Sequence, residues 1–215
     1  MTPHHPDLLT ADHDLDGIPA GSVPGRSIVV CAEPGAANDR VADLLQRCGA
    51  GVPLEYFDVA AVAAPLARRW RVINLDDYIT ALHRHRSAET GVFSLVLRWR
   101  HVRTLHWQVT GIKQLTAERI QHIVTTIAPN PRFVLVRGTG PEHGPVAATD
   151  RSDAPDAIAE RVALREATNR TWLQWFAATG IHPLQVTIGP GGTFTPSQDA
   201  LIDAMGLRAP TRSAR

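Results

Sequence analysis

Glu55 is a carboxylate in an apolar setting, and such a setting prepares a carboxylate for proton transfer. It stands in the segment GVPLEYF, residues 51–57, just past the first helix that the sequence predicts. Removing a carboxylate from water raises its pKa towards the range of a general base. The alternative is a carboxylate that only caps neighbouring backbone N–H groups. The residues alone do not choose between the two interpretations.

Arg137 is the second residue whose type and place predict chemistry. It directly follows the apolar run FVLV, residues 133–136, which predicts a buried strand. A guanidinium at the end of such a strand can bind phosphate or sulfate through two parallel hydrogen bonds. The alternative is a structural ion pair with Glu142 or Asp150.

The segment at residues 26–57 has the order strand, loop, helix that positions an anion. Three β-branched residues at 28–30 predict the strand, and Val41, Leu44 and Leu45 recur at helical spacing. This order directs backbone N–H groups and the positive end of a helix dipole at whatever lies above the loop. The loop itself, EPGAAND at residues 33–39, has two carboxylates and no Lys, Ser or Thr. The backbone pattern therefore suits a phosphate, whereas the side chains do not.

Predicted strands and helices alternate along the rest of the chain. Apolar runs predict strands, helical periodicity predicts helices, and the Ala-rich stretch with Pro65 predicts a short broken helix or loop. Strands joined through helices form right-handed crossovers, so we expect one three-layer α/β/α domain with a mostly parallel sheet, whose ligands bind at the carboxyl ends of the strands. The predicted strands are 92–97, 133–136 and 184–188; the predicted helices are 75–86, 116–128, 155–178 and one that Thr195 opens and Gly206 ends.

Composition bounds the class of protein. The 215 residues are 44% hydrophobic, which fits a single domain, assigned to residues 26–208. Residues 1–25 and 209–215 are predicted to be disordered tails, with no apolar run typical of a signal peptide or membrane span. The net charge of +1 provides no field for nucleic acid. Two cysteines, Cys31 and Cys48, are too few for a disulfide framework and favour a cytoplasmic location.

Several enzyme classes lack their motifs. Neither GxxxxGK[ST] nor GxSxG occurs, and Gly138, Gly140 and Gly144 miss the dinucleotide spacing by one residue. An oxidoreductase that uses this loop ranks well behind, because no acidic ribose partner follows at suitable spacing. Histidines are present, but no carboxylate or thiol lies at the usual metal spacing, so we predict solvated helix faces and no metal. These histidines are His83, His85, His101 and His106. The string RWRH, residues 98–101, predicts a solvated helix start rather than a nucleic-acid contact.

Short motifs between residues 26 and 210 stand in an order that resembles the trehalose 2-sulfotransferase family. That family transfers a sulfuryl group from 3′-phosphoadenosine 5′-phosphosulfate to a sugar hydroxyl. Residues 51–57 are similar to its motif G-E-P-x-E-[FY]-F. The other marks are the strand ending at Ala32, Asp77-Tyr78-Ile79 with Gly91-Val92-Phe93 and Trp99, Val136-Arg137, residues 172–176, residues 180–184 and residues 204–207.

The resemblance implies roles for individual residues. Glu55 would be the general base for the acceptor hydroxyl, and Arg137 would bind the 3′-phosphate of the donor. The donor loop would comprise Gly35, Ala36, Ala37, Asn38 and Asp39, where the family has Arg, Ser, Gly, Ser and Thr. Val96 takes the place of a family lysine, and Arg98 and Arg40 are nearby cations out of register.

Two functions follow as alternatives. The first is sulfuryl transfer from 3′-phosphoadenosine 5′-phosphosulfate, the co-substrate, to the hydroxyl of a carbohydrate or another small molecule. No metal is implied, and a homodimer is compatible with the resemblance. The second is a non-catalytic relative, a pseudo-sulfotransferase, that binds a partner or a different small ligand. The expected donor loop lacks the side chains that bind phosphate, and for the mechanism this favours the non-catalytic alternative.

Overall fold

The computed structural model describes residues 6–32, 36–112, 114–138 and 155–207. Within these ranges the centre is a five-stranded sheet in the order β2-β1-β3-β4-β5. Neighbours among β1 to β4 run parallel, and β5 is antiparallel to β4. The predicted α/β class with a mostly parallel sheet is therefore confirmed. The strands are β1 (Arg26–Cys31), β2 (Val92–Leu97), β3 (Pro131–Gly138), β4 (Leu184–Ile188) and β5 (Phe194–Thr195).

Seven α-helices connect and cover the strands in the described ranges. Side-chain caps fix several of their starts: the Asn74 carboxamide oxygen accepts from the Asp77 N–H at 2.8 Å, and Ser197 Oγ accepts from the Ala200 N–H at 3.3 Å. None of the described helices is both long and apolar enough to cross a membrane. The helices are α1 (Ala36–Arg47), α2 (Ala64–Trp70), α3 (Leu75–Arg86), α4 (Trp99–Thr110), α5 (Ala117–Ile127), α6 (Pro155–Thr179) and α7 (Gln198–Met205).

One of these elements gives detail to the sequence expectation of a short broken helix or loop, and another corrects the expectation for the last helix. The broken stretch before α2 is a π-helical turn, Val59–Ala63, which runs directly into that helix. The last helix is capped by Ser197 rather than Thr195, because Thr195 pairs with Thr187 between β5 and β4. Gly206 ends α7 in the left-handed conformation, as the sequence predicts.

Apolar side chains pack on both faces of the sheet, which gives the three layers. Ile28 and Val134 point to the face covered by α1 and α7. Phe93 and Leu135 point to the opposite face, where they join Trp172 of α6 and side chains of α3 to α5. Burial on both faces explains why β2 reads as a nearly continuous apolar run.

A short segment before Glu55 extends the sheet beyond β2. Leu54 forms a parallel bridge to Leu95, and the Val96 N–H donates to the Leu54 carbonyl at 2.9 Å. Gly51 makes the approach possible: its φ is +83°, and a Cβ there would lie 2.5 Å from the Arg86 carbonyl oxygen. The segment therefore delivers Glu55 to the carboxyl end of β2.

The composition predicts a disordered lead-in at residues 1–25, but residues 8–18 instead lie against α2 and α3. Arg86 Nη1 donates to the carbonyls of Leu8 at 2.9 Å and His13 at 3.0 Å, and its Nη2 lies 3.5 Å from Asp14. A fully buried guanidinium needs such partners, which polar composition alone does not reveal.

The histidines that the sequence places on solvated helix faces are largely buried. His83 and His106 are 4% and 2% exposed, and His101 is 3% exposed. The Nε2 atom of His83 lies 3.0 Å from the Ile127 carbonyl, and the pKa of His83 is lowered by burial. α3 and α4 pack on the sheet, so a polar side chain on the helix face that contacts the sheet is buried. Hydrogen bonds to backbone groups offset the cost of burying it.

Candidate functional site at the carboxyl edge

The carboxyl ends of the parallel strands share one edge of the sheet. β1 lies between β2 and β3. The connection from β1 to β2 therefore runs to one side of β1, and the connection from β2 to β3 crosses to the other side. A crevice at such a switch point is where open α/β sheets bind ligands. Residues 33–35, which follow β1, and 139–154, which follow β3, are outside the described residues, and with them Gly35, Gly140, Gly144 and the two expected acidic partners of Arg137.

The described part of the expected donor loop forms the first turn of α1. Ala36 and Ala37 are its first residues, and Asn38 is 4% exposed. The first N–H groups of a helix have no partner within it and are suited to an anion. Asp39, however, also lies in this turn and adds a negative charge.

Arg137 stands at the carboxyl end of β3 with its side chain exposed. Its Nη1 lies 3.4 Å from the Gln185 side-chain oxygen, which belongs to the neighbouring β4. Gln185 is neutral, and Arg137 makes no ion pair with a described residue. Its positive charge thus lies at the carboxyl edge of the sheet.

Arg40 is a second exposed cation on this side of the molecule. Its guanidinium lies against Gly192, in the turn that joins β4 to β5, so closely that a side chain at Gly192 would collide with it. The φ of Gly192 is +82°, a second reason for glycine. The Arg40 guanidinium thus lies beside the carboxyl end of β4, which its sequence position, out of register with the family motif, does not predict.

Glu55 is paired with Arg98 at the carboxyl end of β2. Arg98 directly follows β2, caps the N-terminus of α4, and donates through Nη2 to Glu55 Oε1. The side chains of Glu55 and Arg98 are 14% and 3% exposed. Burial raises the pKa of Glu55, and the Arg98 charge opposes that rise. Glu55 is consequently an oriented carboxylate whose pKa remains above its ordinary value.

Asp58, Arg100 and His101 complete this cluster. Arg100 Nη2 lies 3.0 Å from Asp58, whose other carboxylate oxygen accepts from the Ala61 N–H and caps the π-helical turn. His101 Nδ1 faces the Arg98 N–H, and its Nε2 faces Arg100 Nε, each at 3.4 Å. Burial, then the Arg100 and Arg98 charges, lower the pKa of His101 to about 4. The imidazole is therefore neutral at pH 7.

Glu55, Asp58 and His101 have the donor types that bind a cation, and their ligand atoms lie within 4.8 Å of one another. Each carboxylate is already bonded to a guanidinium, Glu55 to Arg98 and Asp58 to Arg100. A cation would have to displace these partners and sit beside two positive charges. The geometry favours a neutral, hydrogen-bonded cluster of two carboxylates, two guanidiniums and an uncharged imidazole.

Sequence reasoning identifies Glu55 but misses the side chains around it. Arg98 lies 43 positions from Glu55, too far for any helical or strand periodicity to connect them. The available signal is the placement of Arg98 and Arg100 directly after a buried strand, at the edge where ligands bind. Val96, at the position of the family lysine, is 4% exposed and packs on the face of α1 and α7, so it contributes no charge.

No family model matches the chain, and no curated protein is significantly similar to it.

Proposed function

We propose that this chain is a sulfotransferase-like protein that transfers a sulfuryl group from 3′-phosphoadenosine 5′-phosphosulfate to the hydroxyl of a carbohydrate or another small molecule. The observation that carries the proposal is Glu55, a mostly buried carboxylate with a raised pKa at the carboxyl edge of a parallel sheet. The exposed guanidinium of Arg137 lies at the same edge. A base and an anion-binding group on one edge are the minimum that such a reaction requires.

Each residue has a definite task in this proposal. The acceptor oxygen forms a bond to the sulfur of the donor as it loses its proton, the S–O bond to the 5′-phosphate of the donor breaks, and 3′-phosphoadenosine 5′-phosphate leaves. Glu55 accepts this proton, and Arg98 keeps the carboxylate oriented during the transfer. Arg137 binds the 3′-phosphate, with the first N–H groups of α1 and the guanidinium of Arg40 as further anion contacts.

The non-catalytic alternative rests on the loop after β1. Residues 33–39 include no Lys, Ser or Thr, and Asp39 repels an anion at the start of α1. A hydrogen bond to a charged group contributes about 1.5–3 kcal/mol, so the loss of several weakens donor binding strongly. In this case the edge binds a different small ligand or a partner, and Glu55 has only a structural role.

A transfer assay separates the two functions. We expect the intact chain, incubated with the ³⁵S-labelled donor and a panel of sugars, to form a labelled sulfate ester. Glu55→Gln should lose at least a hundredfold in rate, because the amide cannot accept the proton. Asp58→Asn, which changes the neighbouring carboxylate by the same atoms, should lose far less. The absence of both transfer to any acceptor and binding of the donor by the intact chain would contradict sulfuryl transfer and favour the non-catalytic alternative.

A further inference from the structure

A groove of about 620 Å³ lies along the outer side of α4, apart from Arg137 and β3. Its walls come from α4 and from the segment that joins α4 to α5, and they include Arg100, Arg103, His106, Trp107 and Ile112. The volume is that of a small-molecule site. The proposed sulfuryl transfer does not use this groove.

The charge of the groove is positive. Arg100 and Arg103 lie one helical turn apart, so their side chains project side by side. No Asp or Glu is among the described residues that line it. Arg100 uses Nη2 for Asp58 and directs Nε at His101, which leaves Nη1 for a ligand. Arg103 is exposed and makes no hydrogen bond or ion pair with a described residue. Two such guanidiniums favour an anion.

Trp107 gives the groove a flat apolar wall. It follows Arg103 by four positions, on the same side of α4, and is 52% exposed, whereas Trp172 and Trp175 are buried in the core. Ile112, beside it in the groove, is 43% exposed. An exposed indole next to guanidiniums is suited to stack on a planar ring that bears a negative charge.

His106 supports the wall of the groove from within. It is 2% exposed, and its Nε2 lies 2.9 Å from the Gln114 carbonyl, so it links α4 to the segment that follows this helix.

We infer that this groove binds a small anion with a planar ring, with the chemistry of a nucleoside monophosphate. Arg100 and Arg103 bind the phosphate, and Trp107 stacks on the ring. The inference is independent of sulfuryl transfer, since it uses no residue assigned to the donor or to proton transfer.

The probe is adenosine 5′-monophosphate, titrated into the intact chain by calorimetry and by tryptophan fluorescence. We expect binding in the Arg137→Ala background, with quenching that Trp107→Leu removes. Arg103→Gln should weaken binding at least tenfold. Arg68→Gln, which removes an exposed arginine of α2, should leave binding unchanged. Both Arg103 and Trp107 are exposed, so these variants retain the fold.

The controls define what overturns the inference. Adenosine, which lacks the phosphate, and inorganic phosphate, which lacks the ring, should each bind at least tenfold more weakly than the monophosphate. Equal affinity for either one refutes the combined recognition of ring and charge. Equal weakening by Arg103→Gln and Arg68→Gln, loss of binding in Arg137→Ala, or no binding at millimolar ligand refutes the groove as the site.

Discussion

At the Glu55 carboxylate, burial and charge act on the pKa in opposite directions. Burial raises the pKa and is the larger effect, while the Arg98 guanidinium lowers it. The pair is held where β2 ends, and neither side chain is more than 14% exposed. Removal of one member of such a pair leaves the other charge buried without compensation. Arg98 is therefore a positioning residue whose loss affects both stability and the base.

A double-mutant cycle measures this coupling. We expect Arg98→Met to lower the free energy of unfolding by about 3–5 kcal/mol, because Glu55 is left buried and unpaired. Adding Glu55→Gln should recover part of that loss. The matched control is Arg100→Met with Asp58→Asn, whose arginine is 60% exposed and whose coupling should stay below about 1 kcal/mol. Urea denaturation gives all the values, and equal coupling in both pairs would contradict the account.

At the scale of elements, the turn before Leu54 is what aims Glu55 at the edge. Gly51 and Gly49 both have positive φ, +83° and +68°. They differ in surroundings: a Cβ at Gly51 would lie 2.5 Å from the Arg86 carbonyl oxygen, whereas a Cβ at Gly49 would meet nothing within 4 Å. The two glycines therefore separate backbone strain from steric collision.

We expect Gly49→Ala to cost about 1–2 kcal/mol of unfolding free energy, because alanine resists the left-handed conformation. Gly51→Ala should cost about 1–3 kcal/mol more, because it also forces the segment away from α3. Urea denaturation compares the two variants. If their unfolding free energies agree, the close approach at Gly51 does not hold the segment in place.

Local sequence patterns predict most of the helices and strands, but they do not predict a strand that is defined only by its pairing with a neighbouring strand. The apolar runs mark β1 to β4, and helical periodicity marks α3 and α5. β5 has two residues and no periodicity, since it is defined by its antiparallel bonds to β4. Because Thr195 belongs to β5, Ser197 caps α7 instead, and the sequence prediction that Thr195 opens this helix is wrong.

At the scale of the whole molecule, contacts between residues far apart in the sequence determine features that local sequence patterns do not predict. Asp14 receives donors from Arg69 of α2 and from Trp70 Nε1 at 3.1 Å, and it pairs with the buried Arg86 of α3. These residues have no common periodicity, so the docking of residues 8–18 is not predictable from composition. The cluster of Glu55 with Arg98 and His101 is unpredictable for the same reason.

Two buried histidines, His101 and His83, make stability depend on pH. The folded-state pKa of His101 is about 4, below its ordinary 6.5, so its contribution is complete above pH 6.5 and is lost as pH falls towards 4. The loss amounts to about 3 kcal/mol at most. His83 acts in the same sense. Glu55 acts oppositely, because its raised pKa favours folding at low pH and that contribution is lost as pH rises through the folded value.

Urea denaturation between pH 7 and pH 4 checks this dependence. His101→Gln should flatten the decline in unfolding free energy relative to the intact chain. His122→Gln, at an exposed histidine of α5, should leave the decline unchanged. Parallel curves for the intact chain and His101→Gln would mean that His101 does not carry the effect.

The anion-binding carboxyl edge is the central claim, and calorimetric titration with 3′-phosphoadenosine 5′-phosphate tests it most directly. The intact chain should bind this ligand, Glu55→Gln should bind it equally well, and Arg137→Ala should bind it at least tenfold more weakly. Arg47→Ala, which removes an exposed arginine from the opposite end of α1, is the matched control and should not change the affinity. No heat at millimolar ligand, or equal weakening by Arg137→Ala and Arg47→Ala, would contradict the account.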